Sequence, residues 1–218
     1  MIVYTCLVGE NGDKLSSVNS ELSHVCFTDK PIEADGWEVR PLLETFDDPV
    51  KTARFHKTIG MNLLGEDTLW QDAKVSFVQD PINLVTDRDI SLFLHPKRDC
   101  IYQEGRRVLE LSKATPEDIN RQLAAYNKLG FSAHSGLYET CVVFRKHNPS
   151  IMRLNELWWQ HISQYSKRDQ ISLPFVVKEL GIEVDTYPYG VWANHLFKVR
   201  HHPFSERLLN EDIWYWFK

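Results

Sequence analysis

The sequence predicts an α/β protein, an open sheet flanked by helices. Three observations carry this. Apolar runs of strand length, rich in Val, Ile, Phe and Trp, are interspersed with longer segments whose apolar residues recur at helical spacing. The first three runs fall within about forty residues and are joined by loops, which suits the leading half of a sheet. Polar and ionisable side chains gather just past the ends of several runs, where open α/β sheets bind ligands.

Taken in order, Ile2 to Val8 is a continuous apolar strand that ends in the turn-forming Gly9-Glu10-Asn11-Gly12-Asp13, which lacks the spacing of a Walker loop or a GxGxxG fingerprint. His24 to Thr28 is a second strand closing on Asp29, and Trp37 to Arg40 a short third. Pro49 to Leu64 changes period: Val50, Ala53, Phe55, Ile59 and Leu63 are spaced roughly as one helical face, and proline suits its first turn. Arg54 and Lys57, three apart, share a face of that helix, either as solvated charges or as a pair that meets a diphosphate.

The helix runs into Asp67 to Phe77, DTLWQDAKVSF, the stretch around which the rest is arranged. Leu69 and Trp70 make a short interior strand, and Asp67 and Asp72 bracket it with groups that prefer water or a cation. An acid directly after such a strand can hold Mg or Mn against a diphosphate, because hard carboxylate oxygens suit hard cations; a cap or turn aspartate is the plain alternative.

Further on, Asp80-Pro81 opens a short helix, and Ser91 to His95 is a strand followed by the polar HPKRDC. Helices are expected over Ile101 to Leu111 and Pro116 to Leu129, the second capped by Thr115 and stopped by Gly130. Leu137 to Arg145 is a strand, Asn148-Pro149 starts a helix through Ile162, and the polar SKRDQ separates it from a last helix, Ile171 to Leu180. Residues 182–218 read as an aromatic, irregular tail whose end, NEDIWYWFK, packs on the body or on a second subunit.

At 218 residues with 43% hydrophobic content, the chain suffices for one domain spanning residues 1–218. Most of the seven tryptophans sit in apolar stretches and suit core packing before sugar stacking. A net charge of −5 gives no electrostatic basis for nucleic-acid binding. The four cysteines are far apart without a CxxC pair, so neither a zinc knuckle nor a disulfide scaffold is expected, and Cys6, Cys26 and Cys141 read as small buried hydrophobes. The first strand is too short for a secretory segment and lacks a basic flank, and no run reaches the roughly 18 apolar residues of a membrane span. A soluble, cytoplasmic protein is expected.

Several motifs in fixed order, VYTCLVG, HVCFTD, ARFHK, LWQDA, HPKRDCIYQE, GLYET, FRKHN, LWW and SKRDQISL, span Val3 to about Leu173. Through them the chain resembles the glycosyltransferase-like domain shared by plant mucilage-related and pectin-related proteins and many bacterial and phage proteins. The resemblance implies a type A glycosyltransferase fold, a Rossmann-like mixed, mostly parallel sheet flanked by helices, with a UDP-linked sugar as donor and a glycan or glycoconjugate as acceptor. On that layout Thr5, Val8 and Asp29 line the nucleoside pocket, and Arg54 and Lys57 approach the diphosphate. Asp72 takes the place of the first acid of the DxD metal motif and Lys74 that of the second.

That departure leaves two routes open. Mn or Mg sits on Asp72 with His201 as a further ligand, or the Lys74 ammonium neutralises the diphosphate without a metal. His95, Arg98 and Glu139, the last on the acceptor side, are expected to grip the sugars, and Arg168, Asp169 and Gln170 to carry catalysis in a retaining, front-face transfer. Two competing functions remain. A ceramidase-like amide hydrolase would draw on His95, His134, His147, His201 and His202, without HxxxH or HExxH zinc spacing. A non-catalytic sugar-binding scaffold would keep the fold with its DxD motif degraded.

Overall fold

A computed structural model of the chain describes residues 1–9, 14–18, 20–188 and 190–199. Its element order is β1 (Ile2–Leu7), β2 (Ser23–Thr28), β3 (Glu38–Pro41), α1 (Pro49–Leu64), β4 (Thr68–Gln71), β5 (Val75–Phe77), β6 (Ile90–Leu94), α2 (Ile101–Glu110), α3 (Pro116–Lys128), β7 (Tyr138–Arg145), α4 (Pro149–Gln164), α5 (Asp169–Leu180), β8 (Asp185–Tyr187) and β9 (Phe197–Val199), with 3₁₀ turns at Pro81–Leu84 and Val191–Ala193.

Seven strands form one sheet in the order β3-β2-β1-β4-β7-β6-β8. β1 runs parallel to β2 and β4, β2 to β3, and β6 to β8, whereas β7 lies antiparallel between β4 and β6. The sheet is therefore mixed and mostly parallel, as expected. Because β7 is reversed, its first residues lie beside the last residues of β4 and β6. Side chains from three strands thus meet at one edge.

Alternation along β1 sorts the core. Ile2, Tyr4 and Cys6 join the apolar cluster fed by all five α-helices, while Val3 faces a second cluster with Leu69, Val142, Phe144, Val191 and Phe197. Trp70 and Trp158 are buried in the first, and Tyr4 meets Trp70 edge-on at 5.1 Å. A two-stranded ribbon, β5 against β9, contributes Val75 and Phe197 to the second.

Local chemistry explains the helix boundaries. Asp48 caps α1 by accepting from the Val50 amide, Pro49 opens it, and Gly65 ends it at φ 73°. Thr115 and Asn148 cap α3 and α4 in the same way. Two expectations are corrected. Asp169 and Gln170 form the first turn of α5 rather than an inter-helix loop, because the chain turns back at Ser166-Lys167-Arg168. Residues 185–188 and 190–199 are not an irregular tail: β8 extends the sheet, β9 pairs with β5, and Val191 is core. The 200–218 segment, with its NEDIWYWFK end, lies outside the described residues. Among the described residues no helix is long and apolar enough to cross a membrane.

Candidate active site

The carboxyl end of β4 opens into a cavity of about 280 Å³ lined by Arg54, Asp72, Lys74, His95, Arg98, Glu104, Arg107, Lys113, Glu139, Arg168, Asp169, Gln170 and Trp192, among others. A hollow of about 180 Å³ adjoins it, shares Arg54, Asp72 and Lys74, and is otherwise walled by Cys6 to Val8, Pro49, Val50, Ala53, Trp70 and Ala73. Together they make one groove, apolar over the end of β1 and strongly polar over β4 and β7. Six cationic side chains line the larger cavity against four carboxylates. The excess is positive although the chain carries −5.

Asp169 is the electrostatic centre. It is 1% exposed, and its Oδ2 accepts from Lys57 Nζ at 2.6 Å and from Thr140 Oγ1 at 2.8 Å. Its Oδ1 lies 3.3 Å from Arg54 Nε, out of hydrogen-bond alignment, so that both atoms are buried without a hydrogen-bond partner. Arg168 Nε is orphaned in the same way. Burial pushes the Asp169 carboxyl up, but Arg54, Lys57 and Arg168 outweigh it and hold the group ionised, well below the usual range. Asp72 accepts from Trp70 Nε1 at 2.9 Å and lies 3.7 Å from Lys57 Nζ and 3.8 Å from Arg54 Nη1, all at Oδ1. Burial raises its pKa, yet Lys57, Arg54 and Lys74 bring it down on balance.

A second network holds Lys57 in place. Arg145 on β7 is fully buried, and donates to the Lys57 carbonyl at 2.7 Å, to the Tyr4 hydroxyl and to Asn155. Tyr4 also donates to the Lys57 carbonyl, at 2.7 Å. α1 is thereby tied to β1, β7 and α4 at the residue whose amine reaches Asp169. The β6/β7 pairing supports this edge too, since its register shifts after Leu92. The shift leaves Thr140 facing Asp169, while the β4/β7 ladder continues past Gln71 and Val142 with the Cys141 carbonyl accepting from the Asp72 amide at 2.8 Å.

Across the cavity, burial pushes Glu139 up to about 7 against the opposing effects of the Val191 amide, which donates to its Oε2 at 2.7 Å, and of Lys74. His95 Nδ1 accepts from the Lys97 and Arg98 amides. Burial, with the Arg98 and Lys97 charges, lowers its pKa to about 4, so the ring stays neutral. Arg98 pairs with Glu104 at 2.8 Å.

The expected site residues divide clearly. Arg54, Asp72, Lys74, His95, Arg98, Glu139, Arg168, Asp169 and Gln170 all line the larger cavity, and Val8 lines the hollow. Lys57 is fully buried behind the two aspartates, and neither it nor Arg54, 15% exposed, is a solvated charge. Thr5 is buried in β1 beneath the groove with its hydroxyl unpartnered, and Asp29 is exposed past the end of β2. Cys141, expected in the core, is half-buried at the cavity wall. Thr140, Lys113 and Trp192 were missed. Thr140 and Lys113 carry no local signal, and Trp192 reads as core from its apolar neighbours, yet is 45% exposed.

Asp72 is the described acid expected to hold a divalent ion. No group of three or more His, Cys, Asp or Glu could hold one among the described residues, and Asp72 is ringed by Lys57, Arg54 and Lys74. His201 lies outside the described residues. His134, on the hydrolase list, does not line the cavity and pairs with Asp99 at 2.7 Å.

Known proteins bear on this geometry. The chain is similar to a probable hexosyltransferase of Arabidopsis thaliana, MUCI70, at 24% identity over 132 residues, which are 54% of this chain and 23% of that protein. It spans less than a quarter of that relative's length. The fold is similar to the apo structure of WbbM, a bifunctional glycosyltransferase, with a TM-score of 0.51 over 86% of this chain and 38% of that one at 10% identity. A model of the TOD1/MUCI70 glycosyltransferase-like domain matches residues 39–205. Because that match takes in more than half of the chain and every side chain of the larger cavity, the protein belongs to the TOD1/MUCI70 glycosyltransferase-like family.

Proposed function

We propose that the groove binds a nucleoside-diphosphate sugar, a UDP-sugar in the first instance, and transfers its hexosyl group to a hydroxyl of a glycan with retention. One observation carries this: the half-buried Arg54 and Arg168 line the cavity with their Nε atoms buried and without hydrogen bonds, Arg54 Nε held only in ionic contact with the ionised Asp169 at 3.3 Å. Buried donors without partners are costly, and an anion supplies what they lack. The apolar hollow over β1 suits a nucleoside. The diphosphate then lies over Arg54 and Lys74, which are common to both parts of the groove.

In the transfer, the bond from the sugar's anomeric carbon to the diphosphate breaks and its electron pair leaves on phosphate. Arg54, Lys74 and Arg168 stabilise that charge. Asp169, held ionised, stabilises the cationic character that develops at the anomeric carbon. The acceptor oxygen forms the new bond on the same face and its proton passes to the departing phosphate. Lys57 and Thr140 orient Asp169 through hydrogen bonds to its Oδ2. No step here is routed through a metal, since cationic side chains surround the acid that would hold one.

A thermal-shift series with UDP, GDP, CDP and their sugars, each with Mn or with a chelator, tests the donor class, because a ligand that binds only the folded state raises Tm by mass action. Stabilisation by one nucleotide diphosphate, equal with chelator and with Mn, is expected. No shift with any of them would overturn the proposal. In turnover of the stabilising sugar nucleotide, Asp169→Asn is expected to lower kcat about 10²- to 10³-fold, with the protein still folded. Wild-type turnover in that variant would remove Asp169 from the mechanism.

A further inference from the structure

Among the described residues, Trp192 is the aromatic wall of the polar cavity. It stands on the 3₁₀ turn Val191–Ala193, lines the cavity and is 45% exposed, where Trp70 and Trp158 are buried. This exposure is built in. Val191, one residue earlier, is 1% exposed and packs into the second core cluster, and its amide donates to the buried Glu139 carboxylate at 2.7 Å. Gly190 lets the segment approach closely, since a Cβ there would come within 3.0 Å of Glu139 Oε2 and 3.4 Å of Pro96. On the far side, β9 pairs with β5, which follows the Asp72–Lys74 turn. Lys74 Nζ sits 5.4 Å from the indole centroid. The indole is thus fixed from both sides against the charged cavity.

We propose that Trp192 is the platform for a pyranose ring of the acceptor glycan, with Glu139 a positioning residue that holds the platform through Val191. The inference rests on the nucleotide-sugar function proposed above. A pyranose pairs an apolar C–H face with polar edges, so it needs one flat apolar surface and a surround of hydrogen-bonding groups. The donor end of the cavity, around Arg54, Arg168 and Asp169, offers charge without such a surface. Trp192 supplies the surface beyond Lys74, on the side away from the nucleoside hollow, which Trp192 does not line. The acceptor class this selects is a glycan whose terminal ring exposes a continuous C–H face, rather than a small alcohol or a lipid hydroxyl.

The test uses the whole chain saturated with UDP on an array of pyranose-terminated oligosaccharides, with UDP affinity measured separately by calorimetry. Wild-type protein is expected to bind a subset of the glycans, Trp192→Phe to keep that subset, and Trp192→Ala to lose about tenfold or more in glycan affinity while its UDP affinity holds. Glu139→Ala, which frees Val191, should weaken glycan binding in the same subset, and Glu139→Gln, which keeps an oxygen acceptor, should restore it. Equal glycan binding by Trp192→Ala and wild type, or no glycan bound by the UDP-loaded wild type, overturns the platform. Failure of UDP to bind in the calorimetric arm instead overturns the nucleotide-sugar function.

Discussion

At the scale of single residues, the site is a balance of buried charges whose cost must be met by their geometry. Lys57 and Asp169 are 0% and 1% exposed and 2.6 Å apart, so removing either leaves the other uncompensated in the interior. Lys57→Met is expected to destabilise the fold by about 3–5 kcal/mol, and the double variant with Asp169→Asn by less than the sum of the two single changes. Urea denaturation of the four proteins measures this, and additive losses would show the pair to be uncoupled. Glu139 gives a pH signature. Its carboxyl is raised from 4.5 to about 7, so the folded chain holds a proton that the unfolded chain releases. The stability it contributes is full below pH 4.5 and is lost as pH rises through about 7. Relative to Glu139→Gln, the wild type is therefore expected to lose on the order of a few kcal/mol across that window, and a pH-independent difference would refute the assignment. Asp72 and the Arg54–Lys57 spacing were legible in the sequence because each has a local rule behind it. The burial of Lys57 and Arg145 was not, since it depends on partners from β1, β7, α4 and α5 that no window of sequence contains.

At the scale of elements, α1 does two tasks: Met61, with Ala53 and Leu64 beside it, joins the core, and an otherwise polar buried side of Thr52, His56, Lys57 and Thr58 anchors the helix whose Arg54 reaches the cavity, while Leu63, expected on the apolar face, is 63% exposed. Its bounds were readable to the residue, because Asp48 caps it, Pro49 opens it and Gly65 closes it at positive φ. Asp48 also pairs with Lys167 at 2.6 Å, in the turn that leads into Arg168 and Asp169. Asp48→Ala is expected to cost about 1–2 kcal/mol, seen as a Tm lower by a few degrees, and to weaken UDP binding by loosening both walls of the groove. A variant with unchanged Tm and affinity would count against that coupling. The elements hardest to foresee were β8 and β9, each three residues long. Strands that short carry too few alternating positions to separate from a loop, and their pairing partners, β6 and β5, are distant in sequence.

At the scale of the whole molecule, the distribution of charge matters more than its total. A chain at −5 presents six cations against four carboxylates at one cavity, so the attraction that cavity exerts on an anion is local and screened by salt. UDP affinity is expected to fall about three- to tenfold between 0.05 and 0.5 M salt, and a salt-independent affinity would place the nucleotide elsewhere. The mixed sheet was foreseen through motif order, but its strand order follows from topology that periodicity does not encode. That order has a kinetic consequence. β4 and β6 are made first along the chain yet are not neighbours; β7, more than forty residues after β6, must enter between them with its direction reversed. Until it does, two apolar strands have open edges, and the groove lacks Thr140, Cys141, Glu139 and the Arg145 clamp on α1. The competent site is then a late arrival, assembled by strand pairings between segments distant in sequence. In refolding from urea, helical circular dichroism should recover before UDP binding, and a chain arrested in that interval should aggregate through β4 and β6.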